Sequence, residues 1–253
     1  MTVLLLGGTS DARRMAAYLH ENGVKLIYSV AGLVRLPILP CQIISGGFSQ
    51  FGGLKNYIEQ HDITAILDIT HPYAEKMSNS ARQMAIACGI PCWRFSRLPW
   101  VEMDGDDWHE VDNWQQILPE LEDKKVVFLT AGQVELQVLH DLLELSADKR
   151  IILRTAVKPH YILPERVEWI KAIGPFEMEL ELNLFKQYGV DVVVSKNSGG
   201  DAVVAKIYAA RQLKIPVFMF SRPIKQPVEI NFTDHSICAE FVTAQCAESF
   251  EAK

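Results

Sequence analysis

The 253-residue chain is short of several things, and each shortage removes a class of protein. Its five cysteines (Cys41, Cys88, Cys92, Cys238, Cys246) are odd in number and contain no C-x-x-C pair, so neither a disulfide framework nor a zinc site is expected. Buried, reduced thiols are the expectation instead. No apolar run approaches the roughly 20 residues of a membrane-spanning helix. The N-terminal run Val3–Leu6 stops at Gly7, has no basic residue before it, and falls short of the roughly 7–15 residues of a signal core. A cytoplasmic protein without a membrane partner is expected. Positive charge is also scarce: a net charge of −6 leaves no footprint for nucleic acid, so any anionic ligand needs basic residues gathered locally. Hydrophobic residues make up 49%, which excludes disorder and supports one large core or two modest ones.

What the chain does have is alternation. Short apolar runs at Val3–Leu6, Lys25–Val30, Ala65–Ile69 and Pro91–Phe95 are interleaved with helical patterns following Asp11 and over Glu75–Cys88. Such alternation predicts βαβ units around mostly parallel sheets. From Leu98 to Lys125 the pattern lapses into Pro99, Asp104-Gly105-Asp106-Asp107 and a short helix near Trp114–Leu121. It then restarts with strands at Val126–Thr130, Ile151–Arg154, Val190–Val194 and Val217–Phe220, and helices at Glu177–Tyr188 and Ala202–Leu213. The reading is an α/β protein of two Rossmann-like domains, residues 1–122 and 123–253.

The halves also resemble each other. Ile90-Pro91-Cys92-Trp93-Arg94-Phe95-Ser96-Arg97 and Ile215-Pro216-Val217-Phe218-Met219-Phe220-Ser221-Arg222 agree at five of eight positions, 125 residues apart. The same offset pairs Gly7 with Gly132, Ala31 with Ala156, and Thr70-His71 with Ser195-Lys196. A tandem duplication is favoured over coincidence. Ligands of open α/β sheets bind at the carboxyl ends of the strands, so an active site in an inter-domain cleft is expected.

Gly7-Gly8-Thr9-Ser10-Asp11-Ala12 lies between the first strand and the first helix. Glycines let a pyrophosphate approach the backbone, and the helix N-terminus stabilises its charge. The adjacent glycines depart from G-x-G-x-x-G, and a tight turn with Thr9, Ser10 or Asp11 as N-cap accounts for the same residues. Asp11 is an objection to pyrophosphate, because its carboxylate would repel one. The second strand ends Tyr28-Ser29-Val30-Ala31, without the acid that holds an unphosphorylated ribose, and Arg35 follows. This leans toward NADPH over NADH, although Arg35 also reads as a solvated loop residue. None of the seven tyrosines has a lysine four residues on, which disfavours the short-chain dehydrogenases.

Six segments in order resemble the precorrin-6A reductases of cobalamin biosynthesis, including the cobalt-precorrin-6A enzymes. They are Gly7–Arg13, Asp68–Ala74, Arg97–Trp100, Arg154–His160, Gly174–Phe176 and Ser195–Gly200. The resemblance implies reduction of one ring double bond of a macrocyclic tetrapyrrole by NADPH or NADH, between two Rossmann-like domains. It leaves open whether the substrate carries cobalt. Readings kept beside it are another NADP-dependent reductase of an acidic substrate and a dinucleotide-sensing module without turnover.

On this reading the cofactor is met by Gly7, Gly8, Thr9, Ser10, Asp11, Ala12, Ser29, Ala31, Arg35, Gly46, Gly47 and the loop Thr70-His71-Pro72-Tyr73. The substrate's carboxylates need cations and polar groups: Arg94, Arg97, Thr130, Gly132, Arg154, Lys158, His160, Ser195, Lys196, Asn197, Ser198, Gly199, Gly200 and Arg222. Arginine holds a carboxylate through two parallel hydrogen bonds. Lys206 belongs with these cations or is a solvated helix residue. His71 and Lys196 are the catalytic candidates, with His160 as a second possible acid; His71 alternatively only fixes its loop. Asp68 reads as structural, tying down loop amides. Trp100, Trp108 and Trp114 are expected to pack rather than stack on a macrocycle, and Phe176–Phe185 to form a packing face. No metal is expected, and a monomer or small homo-oligomer is.

Overall fold

The computed structural model describes residues 1–31 and 38–251. The chain divides into two units, one comprising Met1–Leu98 with Pro223–Lys253 and the other Pro99–Arg222. The first unit contains β1 (Thr2–Leu6), α1 (Ser10–Glu21), β2 (Lys25–Val30), β3 (Gln42–Ser45), α2 (Leu54–Gln60), β4 (Ala65–Asp68), α3 (Glu75–Cys88) and β5 (Cys92–Phe95). The second contains β6 (Trp108–Val111), α4 (Trp114–Ile117), β7 (Val126–Thr130), α5 (Leu136–Glu144), β8 (Arg150–Thr155), β9 (Val167–Lys171), α6 (Met178–Tyr188), β10 (Val192–Lys196), α7 (Ala205–Leu213) and β11 (Val217–Phe220). The chain then returns to the first unit for β12 (Ile230–Phe232) and α8 (His235–Glu251).

Each unit has one sheet of six strands, in the orders β12-β5-β4-β1-β2-β3 and β6-β11-β10-β7-β8-β9. Every described pairing is parallel. The central strands are buried on both faces, which is why they read as unbroken Val, Ile and Leu rather than as alternating patterns. In the first unit, Ala12, Met15, Ala16 and Leu19 form the apolar stripe of α1 and share a core with Cys238, Ala239, Val242 and Cys246 of α8. The other core of this unit takes Leu54, Tyr57 and Ile58 from α2 and Ala81 and Ala85 from α3. In the second unit Phe185 of α6 and Ile207, Ala209 and Ala210 of α7 pack with Phe128, Ile152, Val193 and Met219. Trp100 and Trp108 pack against the same cluster, as expected of them. Along α6, however, Leu180 is exposed, so Phe176–Phe185 is not one continuous packing face.

The domain boundary at 122/123 is corrected by the sheet pairings. β6 follows β5 in the chain but pairs with β11, and β12 follows β11 but pairs with β5. Each half therefore supplies the sixth strand of the other half's sheet. The two crossings come after Leu98 and after Arg222, just beyond the ends of the matched octapeptides. The acidic stretch that reads as a linker belongs to the second unit, where Arg211 donates to Asp106 at 2.8 and 2.9 Å.

The repeated strand order agrees with two similar halves, but the offset drifts along them. At the same position of the matched octapeptides, Cys92 opposes Ile66 and Val217 opposes Val193. By that register Asp68, not Thr70, corresponds to Ser195. The pairing of Thr70-His71 with Ser195-Lys196 does not hold.

Candidate active site

The strand order of the first unit reverses between β1 and β4, and the loops leaving these two strands are the Gly7–Asp11 turn and Thr70–Tyr73. Gly7 donates to the Ser29 carbonyl at 2.8 Å, and Gly8 donates to the Tyr28 hydroxyl at 2.9 Å. A Cβ on Gly7 would lie 2.3 Å from the Tyr28 ring, so only glycine fits there. Gly8 has φ +107°, a left-handed conformation that L side chains rarely adopt. Thr9 is the N-cap: its Oγ1 accepts from Ala12 N at 3.1 Å and donates to the Ile69 carbonyl at 3.1 Å. One hydroxyl thus caps α1 and ties the two loops together.

Asp11 is buried, and it is not a bare anion. Arg14 donates to Oδ1 at 2.5 Å, and Arg97 donates through Nε to Oδ2 at 2.6 Å. Burial opposes ionisation of Asp11, but hydrogen bonds and charge from Arg14 and Arg97 outweigh it and hold the carboxyl below its ordinary range. The sequence-level objection to a pyrophosphate is removed by two cations on one carboxylate. Arg14 was legible in the sequence as an i, i+3 partner; Tyr28 as a hydroxyl acceptor was not.

Beneath the second loop lies fully buried Asp68. It accepts from Thr70 N at 3.0 Å, Thr70 Oγ1 at 2.7 Å, Arg94 Nε at 2.8 Å and the Ser78 hydroxyl. Burial opposes its ionisation, and the charge of Lys225 followed by the bonds from Ser78, Thr70 and Arg94 lowers its pKa overall. Asp68 ties down the loop amide of Thr70, as read. Arg94 is buried, paired with Asp68 through Nε, and donates from Nη1 to the Gln226 carbonyl at 2.9 Å, while its buried Nη2 has no hydrogen-bond partner among the described residues. His71 is exposed; its Nδ1 accepts from Tyr73 N at 3.3 Å, the loop-fixing role allowed for it. Ser29 is buried and Ala31 exposed. Gly46, with φ +91°, donates to the Val30 carbonyl at 3.0 Å, and Gly47 caps the short helical turn after β3, so both lie beside the end of β2. Arg35 lies outside the described residues.

In the second unit the structure brings together Lys196, Asn197, Gly132 and Arg222. Arg222 Nε donates to the Asn197 carbonyl at 2.8 Å, and a Cβ on Gly132 would lie 3.7 Å from Lys196 Nζ. The Asn197 side chain accepts from Trp100 N at 2.8 Å and donates to Trp100 O at 3.0 Å, so it fastens the crossing segment. Ser198 N donates to the Lys196 carbonyl at 2.9 Å, Gly199 has φ +68°, and Gly200 caps the short turn before α7. Ser195 is buried, and Thr130 Oγ1 donates to the Val194 carbonyl at 3.3 Å. Burial lowers the pKa of Lys196. Lys158 and His160 are exposed on the loop after β8; Lys158 Nζ lies 5.8 Å from the centre of the Trp169 ring.

Arg154 is not the exposed strand-end cation that the sequence suggests. Its guanidinium is buried, grips both carboxylate oxygens of Glu181, and lies 4.0 Å from the Phe176 ring centre and 4.8 Å from that of Phe128. It serves the core of the second unit. The sequence signal for this was Glu181 on the α6 face otherwise read as apolar. Lys206 is buried too, with Nζ donating to the Val203 carbonyl at 2.9 Å and lying 4.9 Å from the Trp100 ring centre. Burial, with Arg154 nearby, pulls its pKa down to about 7. It is therefore neither solvated nor available to a substrate.

Among the described residues no group of three or more His, Cys, Asp or Glu side chains is arranged to hold a metal, and no helix is long and apolar enough to cross a membrane. All five cysteines are free, three of them buried.

A family model described as precorrin-6x reductase CbiJ/CobK matches residues 2–243. Among curated relatives, a precorrin-6A reductase of Rhodococcus erythropolis is 36% identical over 230 residues, covering 89% of this chain and 90% of that one. A cobalt-precorrin-6A reductase of Priestia megaterium is 30% identical over 233 residues, covering 87% and 90%. A solved structure of CobK precorrin-6A reductase aligns with a TM-score of 0.85 at 29% identity over 96% of each chain.

Proposed function

The chain belongs to the precorrin-6x reductase family, and on that premise we propose that it uses NADPH to reduce one ring double bond of precorrin-6A, or of its cobalt complex, to precorrin-6B in cobalamin biosynthesis. The observation that carries this reading is the family match over residues 2–243, which takes in both units. The first unit supplies physical support. Its switch point between β1 and β4 has a glycine turn, an N-capped helix of 12 residues and an acid already neutralised by two arginines. The amides of Thr9, Ser10 and Asp11 are the candidates to meet a pyrophosphate. These groups fit a dinucleotide.

When bound, the reduced nicotinamide supplies the hydride; the chain's own work is binding, orientation and delivery of a proton. Thr70, His71, Pro72 and Tyr73 are the proposed neighbours of the nicotinamide. Lys196, Arg222, Lys158 and His160 are the proposed partners of the substrate's carboxylates, with Thr130, Gly132, Ser195 and Ser198–Gly200 shaping that site. Lys196 and His71 remain the candidate proton donors, and burial makes the Lys196 ammonium a readier acid than an ordinary lysine's. NADPH is preferred to NADH because β2 ends in Tyr28-Ser29-Val30-Ala31 with no acid to hold a free ribose hydroxyl.

The test is nicotinamide oxidation, followed by absorbance, with metal-free and with cobalt-containing precorrin-6A. Consumption with at least one substrate and a lower KM for NADPH than for NADH are expected. No oxidation with either substrate overturns the reductase reading, and binding without turnover favours a sensing module. A lower KM for NADH overturns only the donor preference.

A further inference from the structure

The segment by which the chain re-enters the first unit, residues 223–227, has no regular secondary structure, yet it is fastened closely. Gln226 accepts at its carbonyl from Arg94 and donates through its N–H to Asn79 Oδ1 at 2.9 Å. Arg82 donates to the Pro227 carbonyl and, at 3.4 Å, to Gln226 Oε1. Three side chains from α3 and β5 thus hold two consecutive residues. The residue just before them, Lys225, is set against the loop after β4: its Nζ donates to Thr70 Oγ1 at 3.4 Å and to the His71 carbonyl at 3.3 Å. Thr70 Oγ1 in turn donates to Asp68, and the Ile69 carbonyl accepts from Thr9 of the glycine turn.

Nothing in the sequence around Ile224-Lys225-Gln226 marks this lysine. Its setting does. Asp68 already has a buried cation in Arg94, so a second one is more than neutralisation requires. Arg94 from β5 and Lys225 from the returning segment thus both act on the one carboxylate at the end of β4.

We propose that Lys225 is a positioning residue for hydride transfer, holding the Thr70–Tyr73 loop in the conformation that receives the nicotinamide. The proposal rests on the dinucleotide reading of the first unit. It also gives the exchange of sixth strands a functional side: the segment leading to β12 carries a side chain needed at the end of β4.

The experiment compares Lys225→Met, Lys225→Arg and Arg82→Ala with the wild-type protein. The readouts are kcat with precorrin-6A, NADPH affinity by fluorescence titration without substrate, and thermal midpoint. Misplacing a reacting group by about an ångström costs up to about a hundredfold in rate, so Lys225→Met should lose on the order of ten- to a hundredfold in kcat. Its NADPH affinity should fall much less and its midpoint little, because the other fastenings remain. Lys225→Arg should recover most of the rate, and Arg82→Ala should lower the midpoint while keeping kcat. An unchanged kcat in Lys225→Met overturns the proposal. So does a loss that merely follows the midpoint and is matched by Arg82→Ala. A wild-type protein that cannot oxidise NADPH overturns the reductase reading instead, so the two failures are distinct.

Discussion

Arg97 Nε donates to Asp11 Oδ2 at 2.6 Å, joining the end of β5 to the turn after β1 across 86 residues of chain. The pair lies at the edge of the proposed phosphate site, so its charge state bears on both stability and cofactor binding.

Asp11 has its pKa depressed in the folded protein, so its contribution is fully present above the unfolded value and is lost as pH falls through the folded one. Asp11→Asn should therefore cost about 1–2 kcal/mol at neutral pH, and the difference from wild type should shrink below about pH 4. Urea unfolding of both proteins across that range checks it. The KM for NADPH should also rise, because Arg14 and Arg97 lose their anchor. A difference in stability that is independent of pH would show that the carboxylate is not what holds the pair.

Arg154 and Glu181 make a different prediction from the one the sequence invites. As a strand-end cation, Arg154 would be tested by a rise in substrate KM. As half of a buried pair, its removal leaves Glu181 buried without its bidentate partner, which costs about 3–5 kcal/mol. Arg154→Ala should be strongly destabilised, with KM unchanged in whatever protein folds. Replacing both partners together, Arg154→Met with Glu181→Leu, should recover much of the loss. A stable Arg154→Ala protein with raised KM would return Arg154 to the substrate.

Lys206 has a folded pKa of about 7 against an ordinary value of 10.5. Below about pH 7 it is protonated in both states and the burial penalty is complete; between the two values the unfolded chain binds the extra proton and stability rises with pH. The unfolding free energy of wild type minus that of Lys206→Met should therefore climb by about 1.4 kcal/mol per pH unit through this window. Unfolding curves at three or four pH values decide it. A flat difference would mean that the ammonium stays charged against Trp100 and Glu181.

Much of the fold could be read from the chain because its central strands are buried on both faces. Lys25–Val30, Val126–Thr130, Val217–Phe220 and the helix Glu75–Cys88 match the structure residue for residue. The strands left unread, β3, β6, β9 and β12, lie at sheet edges, where half-exposed residues blur the apolar run. α8 went unread because its buried stripe is built from Cys238, Ala239, Val242 and Cys246, small side chains that mark a helix face weakly. The glycine turn and its N-cap were legible, since both are local. Which arginines are free to meet a ligand was not. Arg94, Arg97 and Arg154 look alike in sequence, and only the positions of Asp68, Asp11 and Glu181 separate them.

The reciprocal exchange of β6 and β12 also sets an order of events during synthesis. The second unit is a continuous stretch, Pro99–Arg222, and can close as soon as it has left the ribosome. The first unit begins earlier but must wait for β12 and α8, whose Cys238, Ala239 and Val242 cover the apolar stripe of α1. Until they arrive, that stripe and the open side of β5 stay uncovered, a nascent surface with the character of a chaperone substrate. The half that emerges first should thus be the last to close, and the glycine turn is assembled on a sheet that β12 completes.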